Sequence, residues 1–485
     1  MTAPKAQTAP ESHSGARADS QTLPPRDFAI VFVVLMAVAA GNSGLQSVLP
    51  AIGREIGIYD WAVAGIFSLS ALLWTVSAPI WARASDRRGR KPLILFGLAG
   101  FVVSMTSCAL VVLAGLHRLM GPLLVFLGFA ALRSLFGMIG SASNPAGQAY
   151  VADRTSHAAR TDALATLAGA FGVGTVLGPA IAPTFVVPFV TLSGPMFGFA
   201  LIALGCLLAA ARWLPKDAPP ERPAYAEPER RRKQGERSLW LDPKVGPFLI
   251  FGLVAGSAQA VNGYSLGFLV MDTVHLRGAE AQGYIQAAMI SGAVAGLLAQ
   301  WGLIRIFQMK PKHLLLWGAG LAGLGNLMIA FQPSFGSLIT AYGLASIGFG
   351  FVRPGFTAGA SLAAGRHDQG RVAGAVTAAN GATVIGTPII GVWLYDHVHA
   401  APYVLNLLVM TALLIFAWRN PALRNAGAFE EAELEGEQIE PALPGLGETP
   451  RPQPTARRKP STFALLRRRL RKIRLREQGR RRPPV

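Results

Sequence analysis

Residues 81–92 read W-A-R-A-S-D-R-R-G-R-K-P and link two long runs, 61–82 and 93–116, that contain no Asp, Glu, Lys or Arg. Five cations, one acid and one glycine occupy this connection, which is too short to fold by itself. Between two membrane-spanning helices, such a basic connection lies on the side of the membrane that retains positive charge, the cytoplasm. The stretch therefore predicts two membrane spans joined by a cytoplasmic turn.

The composition of the whole chain extends this prediction. Of 485 residues, 51% are hydrophobic and 15% are charged, against roughly 25% charged in soluble domains. The blocks without a charged residue are 28–53, 61–82, 93–116, 163–211, 245–271, 281–304, 313–352, 372–395 and 397–418. One span needs about 20 apolar residues, so 163–211 and 313–352, each interrupted by proline, hold two spans apiece. With 119–152, the sequence predicts an all-α integral membrane protein with twelve transmembrane helices.

The polar segments divide these spans into two bundles of six. Residues 214–244 are rich in Pro and charge, which is typical of a linker, and they separate an N-terminal bundle, 28–213, from a C-terminal bundle, 245–418. Residues 1–27 and 419–485 form the two tails. The second tail is acidic first, with seven Glu in 430–448, and strongly basic afterwards, with fourteen Lys and Arg and a single Glu from position 451 onward.

Lys and Arg fix the predicted orientation. With the N-terminus inside, the inner loops hold most of the cations: Arg83, Arg87, Arg88, Arg90, Lys91, Arg154, Arg160, Arg305, Lys310, Lys312, Arg366 and Arg371. The outer loops hold little beyond Arg54, Arg118 and Arg277. The positive-inside rule therefore predicts a multi-pass protein of the inner (plasma) membrane with both termini in the cytoplasm. Residues 1–27 lack a signal-peptide pattern, so we expect the first span to direct insertion without cleavage.

The 81–92 segment also resembles motif A of the major facilitator superfamily, G-x-x-x-D-R-x-G-R-R/K. Asp86, Arg87, Gly89, Arg90 and Lys91 match the motif, and Ala82 replaces its opening glycine. The resemblance implies two pseudo-symmetric six-helix bundles that work by alternating access. It also implies that Asp86, Arg90 and an acid ending the fourth span, here Asp153, form a charge network that closes the cytoplasmic side in one state. The i, i+4 spacing of Asp86 and Arg90 allows them to pair. A plain positive-inside turn is the alternative.

A charge near the middle of the fourth span marks a second candidate position. Arg133 lies about fourteen residues into that span, where a cation costs roughly 2.5–3.5 kcal/mol and needs a partner or water. The pattern R-S-L-F-G at 133–137 resembles motif B, R-x-x-x-G, with Phe136 in place of the usual Gln. The resemblance implies a role for Arg133 in proton coupling. A static hydrogen bond between helices is the alternative.

The fifth span carries the pattern G-T-V-L-G-P at 174–179. Gly174 and Gly178 are four residues apart, a spacing that allows two helices to approach closely, and Pro179 bends the span. The segment resembles the core of motif C, which marks the proton-coupled drug antiporters within the superfamily. Helix packing alone explains the two glycines equally well.

The spans contain few polar side chains that could face a substrate. The candidates for the substrate cavity are Asn42, Gln46, Gln148, Gln259, Asn262 and Arg353. No acid lies in the middle of a span, so the proton carrier would be an acid near a cavity mouth, with Asp27 or Asp153 best placed. No sequence resembles a nucleotide-binding loop. We therefore expect no enzyme activity and no cofactor, and a proton gradient as the energy source.

The function predicted from these features is secondary active transport, with proton-coupled efflux of hydrophobic or amphipathic small molecules. An importer or facilitator of small organic acids is an alternative, because Arg133 and Arg353 could bind a carboxylate. A second alternative is a membrane-anchored scaffold that acts through the basic tail. We expect that tail to bind anionic lipids of the bilayer, at roughly 1 kcal/mol per cation near the surface, and we expect no nucleic-acid partner.

Overall fold

The computed structural model of the protein describes residues 23–215, 238–331, 334–364 and 368–425. The described residues form helices and turns, and no β-strand occurs among them. Most of the predicted 214–244 linker, the N-terminal tail up to residue 22 and the C-terminal tail from residue 426 lie outside the described residues.

Twelve long helical segments follow one another in the described residues. They are α1 (Pro25–Ile56), α2 (Asp60–Arg88), α3 (Arg90–Leu116), α4 (Pro122–Asp153), α5 (His157–Ile181), α6 (Gly194–Trp213), α7 (Gly246–Val274), α8 (Gln282–Phe307), α9 (Pro311–Ala330), α10 (Phe335–Ala363), α11 (Gln369–His397) and α12 (Ala401–Arg419). A 3₁₀ turn at Gly140–Ala142 interrupts α4, and a π-helical turn at Leu298–Leu303 interrupts α8. The chain is therefore all-α, as predicted.

Eleven of these segments are long and apolar enough to cross a membrane. The remaining one is α7, with 29 residues and Asp272 as its single charged residue. Large apolar side chains are exposed on the molecular surface, for example Leu123 (68%), Trp317 (60%) and Trp418 (67%). Such a surface suits contact with lipid rather than water. The exact count of twelve spans stays a prediction.

The basic connection at 81–92 is more helical than its sequence suggested. Helix α2 continues through Asp86 to Arg88, and α3 begins at Arg90, so the turn is Gly89 alone. Gly89 has φ 94° and ψ 162°, a conformation that side chains other than glycine's rarely adopt. Pro92 then lies in the first turn of α3. Backbone N–H groups in a first turn have no partner within the helix, so the N–H that proline lacks costs no hydrogen bond there. The motif residues are thereby held on two rigid helix ends.

Helix packing repeats between the two halves of the chain. In the first half, α3 packs on α4 and α6, α2 packs on α4, and α1 packs on α5. In the second half, α9 packs on α10 and α12, α8 packs on α10, and α7 packs on α11. The contacts between the halves are reciprocal as well, since α2 meets α11 and α5 meets α8, while α1 meets α7. This correspondence fits the predicted pair of pseudo-symmetric six-helix bundles.

Candidate functional site

The charged side chains of the 81–92 segment form a compact network. Arg90 Nη1 donates to Asp86 Oδ1 (2.5 Å), and Arg90 Nε donates to Asp153 Oδ2 (2.9 Å). A third bond runs from Arg90 Nη1 to Ser85 Oγ (3.2 Å). The structure thus brings together the three charged residues of the predicted gate, from the ends of α2, α3 and α4. Asp86 is 63% exposed and Asp153 is 50% exposed, so water competes for both carboxylates.

Lys91 and Arg87 occupy different positions from that network. Lys91 Nζ donates to the carbonyl oxygens of Ala211 (2.8 Å) and Leu214 (2.5 Å), at the C-terminus of α6. A cation at this helix end is stabilised by the unpaired carbonyls there. Arg87 is exposed at the end of α2. Lys91 therefore joins α3 to α6 and is not part of the Asp86–Arg90–Asp153 network.

Arg133 lies at the centre of the N-terminal bundle and is 1% exposed. Its Nη2 donates to Oδ1 of Asn42 on α1, and its guanidinium carbon lies 4.2 Å from the centroid of the Phe136 ring. Its Nε and Nη1 have no hydrogen-bond partner among the described residues. The structure therefore pairs two predicted positions, Arg133 and Asn42, and shields the charge with an aromatic face.

Aromatic side chains surround this position and extend across the two halves. Phe136 packs against Trp74 and Phe101, with ring centroids 5.3 and 5.2 Å apart. Phe67 on α2 meets Tyr264 on α7, with centroids 5.1 Å apart. These rings come from α2, α3, α4 and α7 and form an apolar cluster beside a buried cation, in which Trp74 and Tyr264 are only half-buried.

The predicted cavity residues separate into two groups. Asn42 and Gln46 are half-buried on α1. Gln46 faces α7, since a Cβ added to Gly263 of that helix would lie 3.4 Å from Gln46 Nε2. Gln148, Gln259 and Arg353 are exposed on α4, α7 and α10.

Asn262 differs from both groups, because it is 2% exposed and its Oδ1 accepts a bond from Asn406 Nδ2 (2.8 Å). It joins α7 to α12 within the C-terminal bundle and does not line an open cavity in this structure. The bond to Asn406 offsets the desolvation of Oδ1, whereas Nδ2 of Asn262 is buried without a hydrogen-bond partner among the described residues.

The two glycines of α5 bring that helix against α1. If Gly174 carried a Cβ, that atom would lie only 2.8 Å from the Cβ of Ala39, and a Cβ on Gly178 would lie only 2.7 Å from the amide nitrogen of Gly44. Both distances are too short for any side chain other than that of glycine. The Oγ of Ser43 donates to the carbonyl oxygen of Gly174 (3.3 Å). By contrast, nothing lies within 4 Å of a Cβ on Gly169 or Gly172. Pro179 is buried inside α5. The glycines at 174 and 178 thus have a packing role in this structure.

A second charge network lies at the opposite ends of the helices, and it joins the two halves of the molecule. Arg54 on α1 forms two bonds to Asp272 on α7, Nη1–Oδ1 (2.5 Å) and Nη2–Oδ2 (3.0 Å). Arg54 Nη2 also donates to Oδ2 of Asp60 on α2 (2.6 Å). Tyr395 on α11 donates its hydroxyl proton to Asp272 Oδ2 (2.6 Å). We call Arg54, Asp60, Asp272 and Tyr395 the outer network.

Further bonds join the two halves on the same side. The amide of Trp61 donates to Asp396 Oδ2 (3.2 Å). Gln282 Nε2 donates to the carbonyl of Ser47 (3.2 Å), and Gln286 Nε2 donates to the carbonyl of Ala180 (2.6 Å). The guanidinium of Arg54 also lies 5.3 Å from the ring centroid of Phe268. The two halves are therefore held together at the end predicted to face outward.

The outer network was not among the predicted site residues. One signal for part of it is visible in the sequence, since Arg54 and Asp60 carry opposite charges six residues apart across a short loop. The bond between Tyr395 and Asp272 connects positions 123 residues apart. No local pattern predicts that contact, because it depends on how α11 packs on α7.

The comparison with known families explains this architecture. The sequence model of the Major Facilitator Superfamily matches residues 31–309 and 305–475. The chain belongs to the major facilitator superfamily. This membership confirms the resemblance inferred from 81–92, and it makes the chain a multi-pass membrane transporter.

Within the superfamily, the chain is similar to bacterial drug-resistance transporters. It is 26% identical to Multidrug resistance protein 1 of Bacillus subtilis over 380 residues, covering 77% of this chain and 92% of that protein. It is 24% identical to the class B tetracycline resistance protein of Escherichia coli, covering 76% of this chain and 88% of that protein. These relatives confirm that the chain resembles the drug:proton antiporter branch.

The fold is shared with solved transporters of low sequence identity. A bacterial homologue of the human lysosomal transporter Spinster, solved in an inward-facing and unoccupied conformation, aligns with a TM-score of 0.60 at 13% identity. The alignment covers 87% of this chain and all of that one. At this identity the similarity concerns the fold alone.

Proposed function

We propose that this superfamily member exports hydrophobic or amphipathic small molecules across the inner membrane in exchange for protons, by alternating access. The observation that carries this proposal is the asymmetry between its two ends. Bonds of the outer network join the two halves at one end. The other side-chain bonds between the halves in the described part of the chain, Trp61–Asp396, Gln282–Ser47 and Gln286–Ala180, lie toward that same end.

This asymmetry corresponds to an inward-facing state, with both termini in the cytoplasm as the distribution of Lys and Arg predicts. Outward opening would separate α1 from α7 and break the two bonds between Arg54 and Asp272. Inward closing would bring the ends of α2 and α4 toward the C-terminal half. The Asp86–Arg90–Asp153 network lies at those ends, and half or more of each carboxylate is exposed in the present state. We therefore assign it to the inner gate.

The central residues favour an apolar or amphipathic substrate. The half-buried rings of Trp74 and Tyr264 supply stacking surfaces, and the amides of Asn42 and Gln46 supply hydrogen bonds. The efflux proteins to which the chain is similar along most of their length support export rather than import.

Proton coupling requires that substrate and proton favour opposite states of one transporter. Of the two acids predicted to carry the proton, Asp27 is 1% exposed, whereas Asp153 is 50% exposed at the inner mouth and accepts a bond from Arg90. We assign the proton to Asp153, because it is open to water at the inner mouth and contacts Arg90 of the inner network, whereas Asp27 is closed off from water. The bilayer, the substrate and protons are the partners of this cycle, which needs no cofactor.

The proposal is tested by expression in a bacterial host that lacks its own efflux systems. Expression of the chain should raise resistance to at least one hydrophobic or amphipathic compound of a drug panel. Asp86→Asn keeps the shape of the side chain and removes its charge, so it should reduce the resistance about threefold, because an exposed ion pair contributes roughly 0.2–1 kcal/mol.

Removal of residues 451–485 is the matched control. A transporter should keep most of its resistance without this basic tail, whereas a scaffold that acts through the tail should lose all of it. Resistance of the Asp86→Asn chain at the wild-type level, at equal membrane abundance, would contradict the gating role. Increased sensitivity to the panel compounds on expression of the wild-type chain would favour uptake.

A further inference from the structure

A lipid-facing groove lies between α1 and α6, away from the central site and both charge networks. Its volume is about 520 Å³, and its walls are apolar side chains that include Val33 and Ile202. The floor is made by small residues, Ala29 on α1 and Gly205 and Ala209 on α6. We call this feature the α1–α6 groove. It forms because these three residues leave the space that larger side chains fill elsewhere on the surface.

The mouth of the groove carries a cation and an aromatic side chain. Arg26 and Trp213 both line it, and Arg26 Nη2 donates to the carbonyl oxygen of Trp213 (3.2 Å). Arg26 also lies 3.4 Å from Asp27 Oδ1, but Asp27 is 1% exposed and lies on the buried side, while Arg26 is 66% exposed. The exposed face of the guanidinium is thus available to an anion at the membrane surface. Trp213, 51% exposed, suits the interface between headgroups and acyl chains.

The dimensions of the groove match one leaflet of a bilayer. From Trp213 to Ile202 along α6, a rise of 1.5 Å per residue gives roughly 17 Å. Half of a hydrocarbon core of about 30 Å is roughly 15 Å. The groove therefore extends from the interface to about the middle of the membrane, on the side that the Lys and Arg distribution predicts to be cytoplasmic.

We propose that the α1–α6 groove binds an anionic phospholipid of the inner leaflet. One acyl chain lies in the groove on Gly205 and Ala209, and the phosphate accepts hydrogen bonds from Arg26. Charge complementarity selects this occupant, because the walls are apolar and the mouth presents a guanidinium, which binds phosphate oxygens in a planar, bidentate manner. A further cation, the exposed Arg212, lies at the same end of α6 and favours an anionic headgroup over a zwitterionic one.

Native mass spectrometry of the full chain tests this proposal, with dioleoyl phosphatidylglycerol and dioleoyl phosphatidylcholine as probes. The wild-type chain should retain one phosphatidylglycerol with about tenfold preference over phosphatidylcholine. Arg26→Gln should reduce that preference about tenfold, because it removes the charge and keeps much of the side chain. Gly205→Leu should fill the groove and abolish retention of the tight lipid. Nothing lies within 4 Å of a Cβ at Gly205, so this variant should fold normally.

Two matched variants serve as controls. Arg419→Gln removes an exposed cation at the end of α12, and Gly320→Leu adds the same side chain on α9, where nothing lies within 4 Å of a Cβ. Both should retain phosphatidylglycerol as the wild type does. Equal retention of the two lipids by the wild-type chain would overturn the proposal, and so would equal effects of the test and control variants. If Gly205→Leu reduces drug resistance while phosphatidylglycerol retention is unchanged, the groove admits the transported substrate and the lipid assignment is wrong.

Discussion

Replacement of Arg133 by Ala is expected to abolish transport while the protein still inserts into the membrane. The side chain is 1% exposed and binds Asn42 on α1 while stacking on Phe136 of its own helix. A cation in mid-membrane costs roughly 2.5–3.5 kcal/mol, so its removal should not hinder insertion. Its loss removes the hydrogen bond between α4 and α1 at the central site. We expect at least a hundredfold decrease in transport rate, measured at equal abundance in membrane vesicles.

Arg133→Lys is the matched variant, because it retains the charge. The compact ammonium of lysine cannot donate to Asn42 and cover the Phe136 ring at the same time, as the planar guanidinium of Arg133 does. We therefore expect partial transport, at about a tenth of the wild-type rate. Wild-type transport by the Ala variant would show that Arg133 only joins helices. Full transport by the Lys variant would show that charge alone is sufficient.

Replacement of Asp272 by Asn is expected to shift the transporter toward its outward-facing state. The carboxylate accepts two bonds from Arg54 of the other half, and it is 28% exposed. Partial exposure limits the contribution of this pair, so we expect a shift of about 1.4 kcal/mol, which is tenfold in the ratio of the two states. Turnover should also fall, because every transport cycle must pass through the state in which the outer end is closed.

Thiol labelling from outside the cell measures this shift. Ser47 on α1 is 0% exposed and lies beside Gln282 of α8 behind the outer network. With Ser47→Cys as the reporter, Asp272→Asn should increase the labelling rate of a membrane-impermeant maleimide about tenfold. Chains without the reporter correct for Cys108 and Cys206, which are both buried.

Asp60→Asn is the matched control for this measurement. It removes a carboxylate from the same Arg54, but Asp60 and Arg54 belong to the same half. The bridge to Asp272 stays, so labelling should change less than twofold. Equal acceleration by both variants would mean that the bridge between the halves does not hold the outer end closed.

The sequence predicted those features that follow from a local rule. Charge-free blocks become helices in the structure because backbone groups in lipid must bond within their own segment. The pair of Asp86 and Arg90 follows from four-residue spacing on a helix-like backbone. The third member, Asp153, is 63 residues from Arg90 and was identified through the family resemblance rather than from spacing. The turn between α2 and α3 was predicted in the right place, although it proved to be Gly89 alone.

Contacts between distant helices could not be derived in this way. The sequence marks Arg133 as a charge that needs a partner and marks Asn42 as a polar residue, but nothing local joins the two. The same limit applies to Asn262. A single amide on an apolar helix faces either a cavity or a neighbouring amide, and only the packing of α7 against α12 shows that Asn406 is its partner. The bond between Asp272 and Tyr395 likewise depends on tertiary packing.

Transport in oriented vesicles tests the central claim of proton-driven export most directly. Inside-out vesicles with an acidic lumen should accumulate the panel compound to which the chain confers the largest resistance. A protonophore that collapses the gradient should remove that accumulation, because export against a concentration difference requires differential binding of protons in the two states. Accumulation that survives the protonophore, or that occurs only in right-side-out vesicles, would contradict proton-coupled export.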